Sequence, residues 1–325
     1  MLISKDDKFF VTGHNGMVGS AVCRKLKEKG YKNILTISRS DLDLRNPKEV
    51  EKWFFKNKPD NVILAAAKVG GIEANRNYPT EFLLDNIKIQ NSVIESCWKS
   101  NIKRLLFLGS SCIYPKHAKQ PIIEEELLAG HLEPTNESYA LAKIVGIRLC
   151  SSLREQYKLD SICLMPSNLY GPGDNYHEEN SHVLASFIRR FYFASLKKSK
   201  EVSCWGSGNP YREFLHVDDL ADACIFALEK WDPNHKDSPV AENGKPLYFL
   251  NVGTGEDLKI IDLAKKIALA TNYKGKIVWD KSKPDGTPRK KLDISRIQKL
   301  GWNPSIKLEE GILQEIKNFS KTINS

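Results

Sequence analysis

The segment FFVTGHNGMVGSAVCRKLKEKG, residues 9–30, constrains this chain more than any other. A short apolar run ends on Thr12, a turn follows with Gly13, Gly16 and Gly19, and a helical pattern starts at once and closes on Gly30. Glycine at those three places lets the backbone turn tightly and come close to a pyrophosphate. The anion would then rest on the helix N-terminal amides of Met17, Val18 and Gly19. A glycine-rich turn by itself is common. In a strand–turn–helix frame that opens a βαβ unit, it predicts a nucleotide site.

The same rhythm continues for 170 residues. NILTIS (33–38), NVILAAA (61–67), RLLFLGSS (104–111) and SICLMPSNLYG (161–171) are strand-like. NPKEVEKWFFKNK (46–58), residues 80–100 and SYALAKIVGIRLCSSLREQY (138–157) carry helical periodicity. Alternation of this kind predicts an α/β fold, a Rossmann-type doubly wound parallel sheet joined by right-handed crossovers. After Gly171 the pattern becomes mixed, and residues 232–246 are polar enough for an exposed loop. The expected division is a dinucleotide-binding domain at 1–170, to which 213–230 and about 247–256 return. A smaller, discontinuous α/β substrate lobe takes 171–212 and about 257–325.

The net charge of +9 favours anionic partners. The lysines are scattered rather than gathered in a basic arm, and a pocket for several phosphates explains the charge as well as nucleic acid does, as does a solvated lysine-rich surface. The seven cysteines form no CxxC pair, and the two closest, Cys150 and Cys163, lie 13 residues apart. That spacing argues against zinc and against a disulfide framework, so no metal and reduced thiols are expected. No signal-peptide pattern and no stretch long enough for a membrane span is present, and a cytoplasmic protein is expected.

The end of strand two reads Ile37-Ser38-Arg39-Ser40-Asp41, about 20 residues past the last glycine, where a nucleotide-selecting group belongs. An arginine suits a 2′-phosphate and favours NADP, while Asp41 keeps NAD open. Further on, Tyr139 and Lys143 stand four apart and share a helix face. A phenol ordinarily ionises near pH 10, and a neighbouring ammonium is expected to bring it into acid–base range. Ser110 and Ser111 end a strand on the side where ligands of such sheets bind. Cys112 follows them, either as a small apolar residue finishing the strand or as a thiol for chemistry.

The TGxxGxxG turn, the serine at a strand end and the YxxxK helix resemble the extended short-chain dehydrogenase/reductases, which act on nucleotide sugars. The segments AAAKVGGI, LLFLGSSCIYP, EPTNESYALAK, NLYGPGDN, NSHV, WGSGNP, REFLHVDDLA, NVGTG and KPDGTPRK narrow the resemblance to the family of GDP-L-fucose synthases. That resemblance implies 3,5-epimerisation of a GDP-4-keto-6-deoxy-sugar followed by NADPH-dependent reduction at C4. It assigns proton exchange at C3 and C5 to Cys112 and His182. Ser110 would bond the C4 oxygen, Tyr139 protonate it, and Lys143 hold the nicotinamide ribose.

The family also lines the cofactor at positions matching Ser38, Arg39, Asp43, Leu44, Leu108, Gly109, Ser110, Ser111, Lys143, Pro166, Ser167, Asn168, Leu169 and His182. It contacts the GDP-sugar at those matching Arg190, Trp205, Arg212 and Asp285, with Arg189 the alternative to Arg190 and the lobe core the alternative place for Trp205. A homodimer pairing the two long helices is implied as well. Asn15 and Ile37 stand where bacterial members often carry arginines that grip the 2′-phosphate, leaving that work to Ser38 and Arg39. Among rivals, GDP-mannose 3,5-epimerases have a lysine in the segment here occupied by Asn180-Ser181-His182. Dehydratases place an acid near Cys112, and SSCIYP contains none. A cofactor-binding regulator or RNA-associated protein on the same scaffold commonly lacks the tyrosine or the lysine, and both are present here.

Overall fold

The computed structural model describes residues 2–178 and 180–324. The first half runs β1 (Phe9–Thr12), α1 (Met17–Glu28), β2 (Ile34–Leu35), α2 (Pro47–Asn57), β3 (Asn61–Leu64), α3 (Ile72–Asn77), α4 (Pro79–Lys99), β4 (Arg104–Leu108), α5 (Glu137–Tyr157) and β5 (Ser161–Pro166). The second half begins β6 (Asn168–Tyr170), α6 (Val183–Leu196), β7 (Glu201–Trp205), β8 (Tyr211–Arg212), β9 (Phe214–His216) and α7 (Val217–Lys230). It continues β10 (Phe249–Val252), β11 (Leu258–Lys259), α8 (Ile260–Ala270), β12 (Lys276–Asp280), β13 (Arg289–Lys290), α9 (Ser295–Lys299) and α10 (Leu308–Asn324).

Six strands form one parallel sheet in the order β10-β5-β4-β3-β1-β2. Strands β1, β3, β4 and β5 are buried along their whole length, which is why each reads as an unbroken apolar run rather than an alternating one. Strand order reverses between β1 and β3, and a crevice at the carboxyl edge is expected at such a point. Thr12 ties that edge together: its Oγ1 accepts the amides of Ala65 (3.1 Å) and Ala66 (3.0 Å).

Two apolar cores result. The larger surrounds the six-stranded sheet, and the smaller joins α6, α8, α10 and β7 around Phe187, Phe191, Leu263 and Ile312. Helix α7 lies against α1, and β10 joins the sheet beside β5. Leu292, Ile294, Ile297 and Trp302 pack into the larger core, although sequence assigned that stretch to the smaller lobe. An isolated bridge from Leu292 to Ile122 draws them there.

Two strands differ from their sequence pattern. Strand β2 is only two residues long, because beyond Leu35 it loses its pairing with β1 at the sheet edge. The run SICLMPSNLYG breaks at Ser167, whose amide turns to Val252 O (2.9 Å), and β6 leaves to pair with β9. Among the described residues no helix is long and apolar enough to cross a membrane.

Candidate active site

The glycine turn sits at the reversal of strand order. Gly13 has φ 70°, and a Cβ there would stand 2.9 Å from Ala66 Cα. A Cβ on Gly19 would fall 2.2 Å from Gly13 O. The Gly16 amide closes the turn on Gly13 O (2.9 Å), and the Ser20 amide is the first of α1 to bond back, to Gly16 O (2.9 Å). The amides of Met17, Val18 and Gly19 therefore have no acceptor within the helix, and no acidic residue stands in its first turn.

At the end of β2, Arg39 is exposed, and Ser38 Oγ bonds Ser40 (2.6 Å) and Asp41 (2.5 Å). Asp41 is thus engaged by Ser38. Asp43 is held at about 2, below the usual carboxylate range, chiefly by its hydrogen bonds from Arg45. Arg45 also reaches Asp85 at 3.2 Å, so the partly exposed loop carrying Asp43 and Leu44 is braced on α4. Across the carboxyl edge stand Leu108 and Gly109 at the end of β4 and Pro166 to Leu169, which run from the end of β5 into β6. Gly109 is required there, since a Cβ would meet Met165 Sδ at 2.3 Å. Ser167 is buried, and its Oγ has no partner among the described residues.

Between these walls the reactive side chains converge. Ser110 is extended and caps a single 3-10 turn (Ser111–Ile113), its Oγ accepting the Cys112 amide at 3.2 Å. The Tyr139 phenol lies close enough to the same hydroxyl for that hydroxyl to lower its pKa. Lys143 is buried one turn along α5, with its Nζ on Leu108 O (2.7 Å) and 5.8 Å from the Tyr139 ring centre. Burial pushes Lys143 down to about 8.

The Tyr139 phenol moves opposite to the sequence expectation. Burial pushes it above its usual value and the nearby Cys112 adds to this, while the Ser110 hydroxyl opposes both. The cost of burying a phenolate sets the direction, and the Lys143 ammonium is turned to the Leu108 carbonyl.

Cys112 Sγ accepts Asn136 Nδ2 at 3.2 Å and lies 3.7 Å from Lys290 Nζ. It is also an electrostatic neighbour of Tyr139 and Arg212. His182 caps α6, where its carbonyl accepts the Ser186 amide (2.9 Å). Its ring is reachable by solvent, and the protein packed around it lowers its pKa by desolvation. No hydrogen bond joins His182 to Cys112 among the described residues. The backbone beside His182 is pinned by Gly71, whose amide donates to Asn180 O (3.3 Å) and whose Cβ would stand 2.8 Å from Ser181 O.

The substrate-contact candidates form a second group. Arg190 donates to Ser203 O (2.8 Å) and stacks 5.2 Å from the Trp205 ring, which is 39% exposed and so not core. Arg189 turns away to Glu178 (3.2 Å) and Phe193, which separates it from Arg190. Arg212 is half-buried, donates to Tyr211 O (2.7 Å), and has its pKa lowered by desolvation. Asp285 gives both carboxylate oxygens to Ser207, at 2.7 Å to its amide and 2.7 Å to its hydroxyl. Its side chain therefore shapes the WGSG loop.

Sequence reasoning missed Asn136 and Lys290 at the thiol. It also missed Glu213, a buried carboxylate beside Arg212 that accepts the amides of Thr254 (2.6 Å), Gly255 (2.8 Å) and Leu292 (2.8 Å). Asn136 and Lys290 fall inside the quoted segments EPTNESYALAK and KPDGTPRK, which was the available signal. Among the described residues no group of three or more His, Cys, Asp or Glu is placed to hold a metal ion.

Comparison with known proteins extends this picture over the whole chain. Residues 9–240 match the model of the NAD dependent epimerase/dehydratase family. The chain is 50% identical over 322 residues to a putative GDP-L-fucose synthase 2 of Arabidopsis thaliana, covering 99% of this chain and 94% of that one. It is 49% identical over 317 residues to the GDP-L-fucose synthase of Escherichia coli K12, covering 96% of each. A solved GDP-mannoheptose C4 reductase from Campylobacter jejuni with NADP bound superposes with a TM-score of 0.86 at 33% identity, covering 98% of this chain and 99% of that one. The chain therefore belongs to the NAD-dependent epimerase/dehydratase family and, within it, to the GDP-L-fucose synthases.

Proposed function

We propose that this protein converts GDP-4-keto-6-deoxy-D-mannose to GDP-L-fucose by epimerisation at C3 and C5 and reduction at C4, with NADPH as reductant. One observation carries the reading: the Ser110 hydroxyl meets the Tyr139 phenol and also caps the turn that carries Cys112. A reductase pair and a proton-exchanging thiol thus face one small volume.

The residues present fit a dinucleotide. Cβ atoms on Gly13 and Gly19 would collide with Ala66 and with Gly13 O, so only glycine allows the tight turn that leaves the α1 amides open, and the unpartnered Ser167 Oγ offers a polar group beyond the carboxyl edge. Met17, Val18 and Gly19 would hold the pyrophosphate, Ser38 and Arg39 the 2′-phosphate, and Lys143 the nicotinamide ribose. NADPH, when bound, supplies the hydride that reduces C4.

The remaining chemistry belongs to the chain. The C4 ketone acidifies the protons on C3 and C5. Cys112 and His182 remove one proton at each centre and return one from the opposite face. Ser110 donates to the C4 oxygen as charge builds there, and Tyr139 gives it a proton during reduction. The phenol's raised pKa keeps it protonated for that step. Arg190 and Arg212 suit the GDP diphosphate, since guanidinium binds phosphate in a bidentate manner.

Nucleotide binding falls to residues 1–170 with 213–230 and about 247–256. Sugar binding falls to 171–212 and about 257–325, with 292–302 packing back on the first unit. A homodimer through α4 and α5, and a reducing cytoplasmic setting for seven free cysteines, complete the reading. The test offers GDP-4-keto-6-deoxymannose with NADPH or NADH. NADPH should be oxidised with the lower KM, and a clear NADH preference would overturn the cofactor assignment.

A further inference from the structure

We infer that Lys290 is a positioning residue for the epimerisation: its ammonium holds the Cys112 sulfur toward the acidified sugar carbon. The inference rests on the proton-exchange role proposed for Cys112 and names the group that equips it.

The contact is built by the fold. Strand β13 runs parallel to β8 with Arg289 opposite Tyr211 and Lys290 opposite Arg212. Side chains alternate along a strand, so Arg289 and Lys290 leave on opposite sides. Arg289 goes outward to Asp257, at 2.6 and 3.1 Å. Lys290 goes inward on the side of Arg212, is half-buried, and makes no ion pair among the described residues. The polar atom it approaches is Cys112 Sγ, at 3.7 Å.

The backbone that carries it is stitched in place. Gln120 Nε2 donates to Arg289 O (3.1 Å), and the Lys291 amide donates to Gln120 Oε1 (2.9 Å). Ile122 and residues 291–293 exchange amide bonds of 2.8 Å, from Ile122 to Lys291 O and from Asp293 to Ile122 O. The Leu292 amide is held by buried Glu213. Segment 120–122 follows closely after the Cys112 turn, so thiol and ammonium are fastened to one another through backbone.

Every polar neighbour of the sulfur fits an anion. Asn136 donates from the α5 entrance at 3.2 Å, and Arg212 adds a second cation from β8. Tyr139 faces the sulfur from α5 as a neutral phenol. Of the acids around Arg212, Glu133 is engaged by Lys116 at 3.0 Å and Asp285 by Ser207. An ammonium beside the sulfur attracts the charge that the sulfur carries between giving up a proton and taking one. When Cys112 acts as base, the sulfur takes the proton and the C–H electron pair moves onto the C4 oxygen beside Ser110 and Tyr139. When it acts as acid the flow reverses. Lys290 keeps its own protons in both directions.

The test measures iodoacetamide alkylation of Cys112 by peptide mass between about pH 6 and 9, in the wild type, Lys290→Met and Lys290→Arg. Cys112→Ser identifies the signal, and thermal melts check folding. Lys290→Met should alkylate Cys112 about fivefold or more slowly at neutral pH. It should also slow deuterium uptake into the ketosugar from D2O by a similar factor, and Lys290→Arg should restore much of both. Lys290→Gln repeats the measurement if the Met variant melts early. An unchanged Cys112 alkylation profile in a folded variant overturns the inference. Should Cys112→Ser still exchange deuterium at wild-type rate, the proposed role of the thiol fails instead, whatever Lys290 does.

Discussion

Ser110 links two chemistries, since its hydroxyl meets the Tyr139 phenol while accepting the Cys112 amide. Variants of those two partners should separate the half-reactions. Tyr139→Phe should cut NADPH oxidation roughly 100-fold or more, the usual scale of a lost general acid, while deuterium still enters the sugar from D2O. Cys112→Ser should stop uptake at the centre it serves and so starve the reduction. Proton NMR of the sugar ring reads both, and equal loss of exchange in the two variants would contradict the division. Desolvation by the protein packed around it lowers His182, so its ring stays neutral to a pH below the ordinary histidine value of about 6.5. Epimerisation lost with His182→Gln should therefore titrate on the acid side of that value.

Glu213 works at the scale of elements. It is buried at the junction of β8 and β9, and burial raises its pKa to about 7 despite three backbone amides donating to it. Its Oε1 serves the loop after β10 and its Oε2 the segment after β13. Glu213→Gln replaces one acceptor with an NH2 facing N–H donors. The expected cost is about 1–3 kcal/mol in urea unfolding, with epimerisation weakened further because the segment carrying Lys290 is loosened. A variant as stable and active as the wild type would contradict this.

This network also marks the limit of legibility. The first strand, the glycine turn, the YxxxK helix and the serine at a strand end were readable because local spacing dictates their geometry. Lys290 reaches Cys112 across 178 residues through a strand two residues long, and no periodicity reports that pairing. The break at Ser167 was hidden for a related reason, since only the later strands β9 and β10 turn the chain there. The direction of the Tyr139 shift depended on burial, which spacing does not encode.

At the scale of the molecule, α4 and α5 pack side by side and leave Leu84, Leu141 and Val145 open, at 45%, 41% and 42% exposure. Leu141 and Val145 lie four apart on one face of α5, and a second copy related by a two-fold axis would cover such a stripe. Light scattering should give twice the chain mass of 36.8 kDa for the wild type and a single chain for Val145→Glu. A monomeric wild type at micromolar concentration would contradict the proposed pairing. The central claim, that one site epimerises and reduces, is tested most directly by a single turnover with GDP-4-keto-6-deoxymannose and NADPH in D2O. The account predicts an L-sugar product carrying deuterium at C3 and C5 and protium from NADPH at C4. NADPH oxidation giving a D-sugar without deuterium at C3 and C5 would contradict it and leave a plain C4 reductase.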